Sequence, residues 1–215
     1  MKILQKKELT QYYNKIKLLI KSRLDDFISI GKNGSEQDLF AELCFCLCTP
    51  QSRAELAEKA IASLVKDNIL FNGNYGQIRN KLRGVRFPNN KAGYILEARE
   101  FFKEKDKINI RKYINYQDLK LTRDWFVLNV KGFGYKEASH FLRNIGLGKD
   151  FAILDKHILK NMKDFQIIEE IPKTLTRNKY LLLEEKLKNF SQQINIELQE
   201  LDFVFWSRET GVILK

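Results

Sequence analysis

Apolar residues recur three and four positions apart along almost the whole of this chain. The longest run is Leu9, Tyr12, Tyr13, Ile16, Leu19, Ile20, Leu24, Phe27 and Ile28, which is the stripe of one long amphipathic helix. Gly31 and the Asn33-Gly34 pair end it, and Ser35 is suited to cap a second helix through Leu39, Leu43 and Leu47. Pro50 opens a third, carrying Leu56, Ala60, Ile61, Leu64 and Val65. After the turn Asn72-Gly73-Asn74, shorter helices are expected over 76–82 and 90–102, with RGVRFPNN as the loop between them. Asn115 to Asp118 reads as a cap before a helix through Leu121, Trp125 and Leu128. Later helices end near Gly146, begin at Asp155, and cover 180–187 and 192–206. Ile108–Ile110 is too short and isolated to support a sheet, and no segment alternates with the period of a strand. An all-α fold follows. No repeat, linker or composition break divides the 215 residues. Residues 1–215 are therefore expected to form one unit, with two helical lobes flanking a cleft.

The formal net charge of +11 favours polyanionic partners, of which nucleic acids are the commonest. Cys44, Cys46 and Cys48 are an odd, clustered set inside one apolar run. That pattern suits neither a disulfide framework nor a zinc or iron–sulfur site, and fits small buried hydrophobes. No cluster of ligands suggests a metal, and no organic cofactor is expected. No stretch approaches the length of a membrane span. The charged N-terminus does not read as a signal peptide, so a cytoplasmic, nucleoid-associated location is expected.

The most informative stretch is LNVKGFGYKEASHFLRNIG, Leu128 to Gly146. It reads as helix, a four-residue turn containing Gly132 and Gly134, then helix, with the whole hairpin at about 121–146. Such a turn leaves backbone N–H groups at the positive end of the second helix, where a phosphate oxygen binds well. This grips the DNA backbone without reading sequence. The alternative is a tight hairpin whose glycines serve packing.

Lys136 follows the second glycine by two positions. A nucleophilic lysine must lose its proton, and the first turn of a helix disfavours a cation. The alternative is a solvated, phosphate-binding lysine. Nineteen positions later comes Asp155, in FAILDKHILK. An aspartate between an apolar run and a helix is an N-cap. At the mouth of a cleft the same carboxylate can stabilise positive charge developing on a sugar. His157 in the next turn suits either a structural role or a DNA contact.

The hairpin VKGFGYKEA, its lysine, and the D-x-H element nineteen residues on resemble the signature of bifunctional members of the helix-hairpin-helix-GPD superfamily of DNA glycosylases. Within it, LCTPQSRAE, GVRFPNNKAGYI and the ending LDFVFWSRETGVILK resemble the compact 8-oxoguanine DNA glycosylase/AP lyase family, which lacks an N-terminal β domain. The four C-terminal cysteines of the endonuclease-III branch do not occur here.

The resemblance implies a protein that excises 8-oxoguanine from double-stranded DNA and cleaves the strand 3′ to the abasic site by β-elimination. Lys136 would form the Schiff base and Asp155 would stabilise the charged sugar. Phe87 and Trp206 would face the two sides of the extruded base, where core packing is the alternative. Gln51 would fill the gap left in the duplex. Lys215 would contact the base through its terminal carboxylate, its side chain, or both, since oxidation puts a hydrogen on N7 that needs an acceptor. A frayed terminus is the alternative for Lys215. A monomer is expected. Two rival readings are a glycosylase of the same fold for another oxidised base and a non-catalytic helix-hairpin-helix DNA-binding protein.

Overall fold

The computed structural model describes residues 3–213, with side chains described from Lys6 onward. Lys215, expected to contact the base, lies outside the described residues. Among the described residues eleven α-helices run in chain order: α1 (Ile3–Asn33), α2 (Glu36–Cys48), α3 (Ala54–Lys66), α4 (Ile69–Asn72), α5 (Tyr75–Lys81), α6 (Pro88–Phe102), α7 (Leu119–Asn129), α8 (Tyr135–Asn144), α9 (Lys156–Asp164), α10 (Arg177–Ile194) and α11 (Leu198–Thr210). The expected all-α class holds.

Two apolar cores form. One joins α2 to α8 through residues such as Phe40, Phe45, Ile95, Phe126 and Phe141. The other joins α1 to α9, α10 and α11 through Phe27, Ile158, Leu187 and Phe205. The first helix therefore packs with the last three, and the middle of the chain forms the opposite lobe. Buried ion pairs link the lobes. Arg123 on α7 makes a bidentate pair with Glu184 on α10, at 2.6 and 2.9 Å. Arg143 on α8 reaches Asp202 on α11 at 3.1 Å, with its guanidinium packed on the rings of Phe27 and Phe203. A buried charge persists only when paired in this way.

Several boundaries differ from the sequence expectation. Gly31 does not end α1 but lies inside it, because α1 crosses the end of α8 so closely that a Cβ there would collide with the Ile145 carbonyl oxygen. Along α1 the buried positions are Leu9, Tyr13, Ile20, Leu24 and Phe27, whereas Leu19 and Ile28 face solvent. Pro50 does not start α3. Gln51 takes a left-handed φ of 55°, which stops helix propagation, and α3 begins only at Ala54. Near the C-terminal end, α10 continues past residue 187 to Ile194 and stops where Asn195 adopts φ 55°.

The expectation of no sheet is also corrected. Lys103–Glu104 pairs antiparallel with Lys107–Ile108, a two-stranded hairpin (β1, β2). Its central residues Lys105 and Asp106 both have positive φ, 47° and 64°, which suits a tight hairpin turn. Strands of two residues carry no readable periodicity. Other local signals hold: Ser35 caps α2 through a reciprocal bond pair with Asp38, and Asp118 caps α7. All three cysteines are free and fully buried, because the second half of α2, Glu42 to Cys48, is enclosed on every side.

Candidate active site

Between the lobes lies a cleft of about 1080 Å³. Its walls come from the turn at 49–53, the start of α3, Arg86, one face of α8, the segment 153–157 and one face of α11.

The hairpin forms as expected, with α7, a turn, then α8. Its two glycines do different work. Gly132 has φ +92°, and a Cβ there would meet Tyr94 Cδ2 at 2.6 Å. Gly134 caps α8 in an extended conformation that any residue adopts, and its N–H donates to Glu137 Oε2 at 3.0 Å. That donor is occupied within the protein. Lys136, the second residue of α8, turns its amine into the cleft and donates to Thr49 Oγ1 at 2.9 Å. Thr49 Oγ1 donates in turn to the Cys46 carbonyl at 3.0 Å. The hydroxyl hydrogen is thus committed to α2, and a lone pair is free to hold Lys136. Glu137 Oε1 lies 3.7 Å from the same amine.

Asp155 caps α9, its Oδ1 accepting the N–H groups of His157 and Ile158, both at 2.8 Å. Both capping bonds fall on one oxygen, so the cap does not use Oδ2. Asp155 lines the same cleft as Lys136. His157 and Trp206 also line it and meet edge to face, 6.3 Å between ring centroids. Behind them sits Asp202. Burial pushes its carboxyl up to about 6; Arg143 pulls against that shift and the nearby Asp155 charge adds to it.

Gln51 is exposed on the rim and lines the cleft. Phe87 is not brought to it. Its ring is 47% exposed, outside the cleft lining, and lies under the Arg86 guanidinium at 5.0 Å. Among the described residues no group of three or more His, Cys, Asp or Glu side chains is arranged to hold a metal ion.

The sequence of residues 20–196 matches the family model described as 8-oxoguanine DNA glycosylase. The chain belongs to this family. A relative named 8-oxoguanine DNA glycosylase/AP lyase from Fusobacterium nucleatum is 42% identical over 97% of this chain and 96% of its own. The crystal structure of the 8-oxoguanine DNA glycosylase of Thermotoga maritima superposes with a TM-score of 0.87 at 34% identity, covering 98% of both chains. The Methanocaldococcus jannaschii 8-oxoguanine glycosylase/lyase, solved with a 15mer DNA containing 8-oxoguanine, gives 0.89 at 37% identity over 99% of this chain and 100% of that one.

For a member of the 8-oxoguanine DNA glycosylase family, the sequence left four residues of this region unmarked. Thr49, Arg143 and Asp202 line the cleft, and Lys91 holds the turn at 48–52 beside it. A signal existed for Lys91, which shares a helix face with the buried Ile95, Ala98 and Phe102 of α6. A lysine on an apolar stripe needs partners. Arg143 and Asp202 stand among apolar neighbours in FLRNIG and LDFVFW, but only the fold shows that they pair.

Proposed function

We propose that this protein excises 8-oxoguanine from double-stranded DNA and then cleaves the strand 3′ to the abasic site. The observation that carries this reading is the convergence of Lys136 and Asp155, from different lobes, on one cleft. A protein that only binds DNA needs neither group there.

The chemistry follows from the groups present. The Lys136 amine, once neutral, attacks C1′ of the sugar. The C1′–N9 bond breaks, and its electron pair and a proton leave with the base. Asp155 stabilises the positive charge developing on the sugar. Ring opening gives a Schiff base between Nζ and C1′. Loss of a C2′ proton then expels the 3′ phosphate, and water releases the enzyme. Thr49 holds the amine in place before attack.

Gly132 and Gly134 shape the hairpin that grips the backbone, and His157 lies where it can meet DNA or the base. Gln51 on the rim is suited to fill the gap. Trp206 supplies one stacking wall. Phe87 would supply the other only if the loop at 86–87 moves on binding. Lys215 would complete the pocket; Ile213, two positions before it, packs against the second core. Both walls of the cleft come from one chain, so a monomer suffices.

Borohydride trapping on 8-oxoguanine duplex tests this. Wild type should give a covalent adduct and Lys136→Gln none. Equal cleavage of 8-oxoguanine and thymine-glycol duplexes would overturn the substrate, and removal of Lys215 should relax discrimination against guanine.

A further inference from the structure

Lys91 is 4% exposed, yet its amine makes no use of the core around it. All three of its bonds go to one turn: to the Cys48 carbonyl at 2.7 Å, the Pro50 carbonyl at 2.8 Å and Ser52 Oγ at 3.0 Å. Those acceptors bracket Thr49 and Gln51. Ser52 Oγ also accepts the Arg86 N–H at 2.9 Å, so the same hydroxyl reaches the loop that carries Phe87. A Leu or Met at this position would fill the space without the cost of desolvating an ammonium.

We propose that Lys91 is a positioning residue for the turn at 49–52: its ammonium sets Thr49 against the nucleophile and Gln51 on the rim, and through Ser52 couples that turn to the Arg86–Phe87 loop. The part concerning Gln51 rests on the gap-filling role proposed above. An ammonium has three N–H donors, and three oxygens receive them here. A neutral amine has two, enough for the two carbonyls, and would keep Ser52 only by accepting its hydroxyl hydrogen. Bonds from an ammonium are roughly twice as strong as those of a neutral amine, so the lock is tightest in the charged form. Burial lowers the Lys91 pKa to about 8. The charged and titratable groups facing it are Cys48 from α2 and Lys136 and Glu137 from α8. Cys48, pushed up to about 12 by burial, stays neutral throughout the relevant range. The lock holds at neutral pH and slackens in mild alkali.

The test compares binding to duplex containing a tetrahydrofuran abasic analogue with binding to undamaged duplex, by fluorescence anisotropy, alongside borohydride trapping. Lys91→Met should cut both the abasic preference and the trapping rate about tenfold at neutral pH, the scale of one lost bond to a charged donor. Lys91→Arg, charged at every pH used, should restore most of both. Wild-type preference should weaken between about pH 7 and about pH 9.5 while that of Lys91→Arg stays constant. A merely structural lysine predicts a lower Tm for Lys91→Met with preference and trapping rate unchanged, and that result overturns the proposal. If Lys91→Met does not fold, Ser52→Ala and the wild-type pH series decide. Wild-type preference in Ser52→Ala, together with a pH-independent preference in wild type, also overturns it. Gln51→Ala separates the two readings. If it keeps the preference while Lys91→Met loses trapping, gap filling by Gln51 is wrong and the lock on Thr49 stands. If Gln51→Ala loses the preference and Lys91→Met does not, the lock is wrong.

Discussion

Lys136 and Thr49 are 87 positions apart in sequence, and the lysine amine donates to the threonine hydroxyl at 2.9 Å. The bond joins the hairpin helix to the turn after α2. It also fixes where a flexible four-carbon side chain presents its nitrogen. Thr49→Val keeps the shape and removes the acceptor. Single-turnover trapping on 8-oxoguanine duplex should slow about tenfold, as expected for one bond to a charged group, and Thr49→Ser should recover most of the rate. Wild-type trapping by the valine variant would show that the bond does not position the amine.

Asp155 combines a cap with a charge, and two substitutions separate them. In Asp155→Asn the side-chain oxygen can still accept from His157 and Ile158, so stability should change little while base excision falls at least about a hundredfold, as when a charge-stabilising group is removed. Asp155→Ala loses the cap as well and should cost about 1 kcal/mol in addition. Urea unfolding and single-turnover excision, measured on both variants, check the split. Equal activity of wild type and Asp155→Asn removes the carboxylate from the mechanism.

These two residues also show how much the sequence could say. Lys136 and Asp155 were legible because helix-terminal position and local residue type define them, and the hairpin was legible for the same reason. Their partners were not. Thr49 meets Lys136 only once α2 and α8 pack side by side. Asp202 becomes a cleft residue because α11 faces α8 across the lobes. Phe87 shows the reverse: the family resemblance implies a pocket wall, whereas here it caps α6 with a left-handed backbone, φ 58°, and stands outside the cleft lining. Element boundaries failed where backbone geometry overrode side-chain preference, as at Gln51 and Asn195.

The two hairpin glycines look equivalent in sequence and are not. Gly132→Ala forces a Cβ to 2.6 Å from the Tyr94 ring at a φ of +92°. It should cost at least about 1–3 kcal/mol and weaken binding to damaged and undamaged duplex alike. Gly134→Ala sits in extended backbone with Glu137 Oε2 at 3.2 Å as the nearest neighbour, and should cost under about 1 kcal/mol. Thermal unfolding of both proteins gives the comparison, and similar losses would contradict the division of roles.

Glu184 accepts both arms of Arg123 and, through Oε1, the Ala152 N–H at 2.8 Å. Glu184→Ala leaves the buried guanidinium without its counter-charge and should destabilise the fold by about 3–5 kcal/mol. Chemical denaturation reads this directly. A loss below about 1 kcal/mol, the range of an exposed pair, would mean that the lobes do not depend on this bridge.

Asp202 makes the stability of the fold depend on pH in a direction opposite to that of most carboxylates. Its folded-state pKa of about 6 lies above the ordinary value of 3.8, so the folded protein holds this proton more tightly than the unfolded chain. The contribution is full below the ordinary value and is lost as pH rises through about 6. Other groups titrate over the same window, so the comparison has to be with Asp202→Asn, which lacks this proton at every pH. Relative to wild type, the variant should gain stability as the pH is raised from about 4 to about 7. At low pH the asparagine replaces a neutral carboxylic acid of similar shape. At neutral pH wild type bears the desolvation of a charged carboxylate, offset only in part by Arg143. Urea unfolding at both pH values measures the difference. A stability gap between the two proteins that stays constant across this window would place the Asp202 pKa outside it.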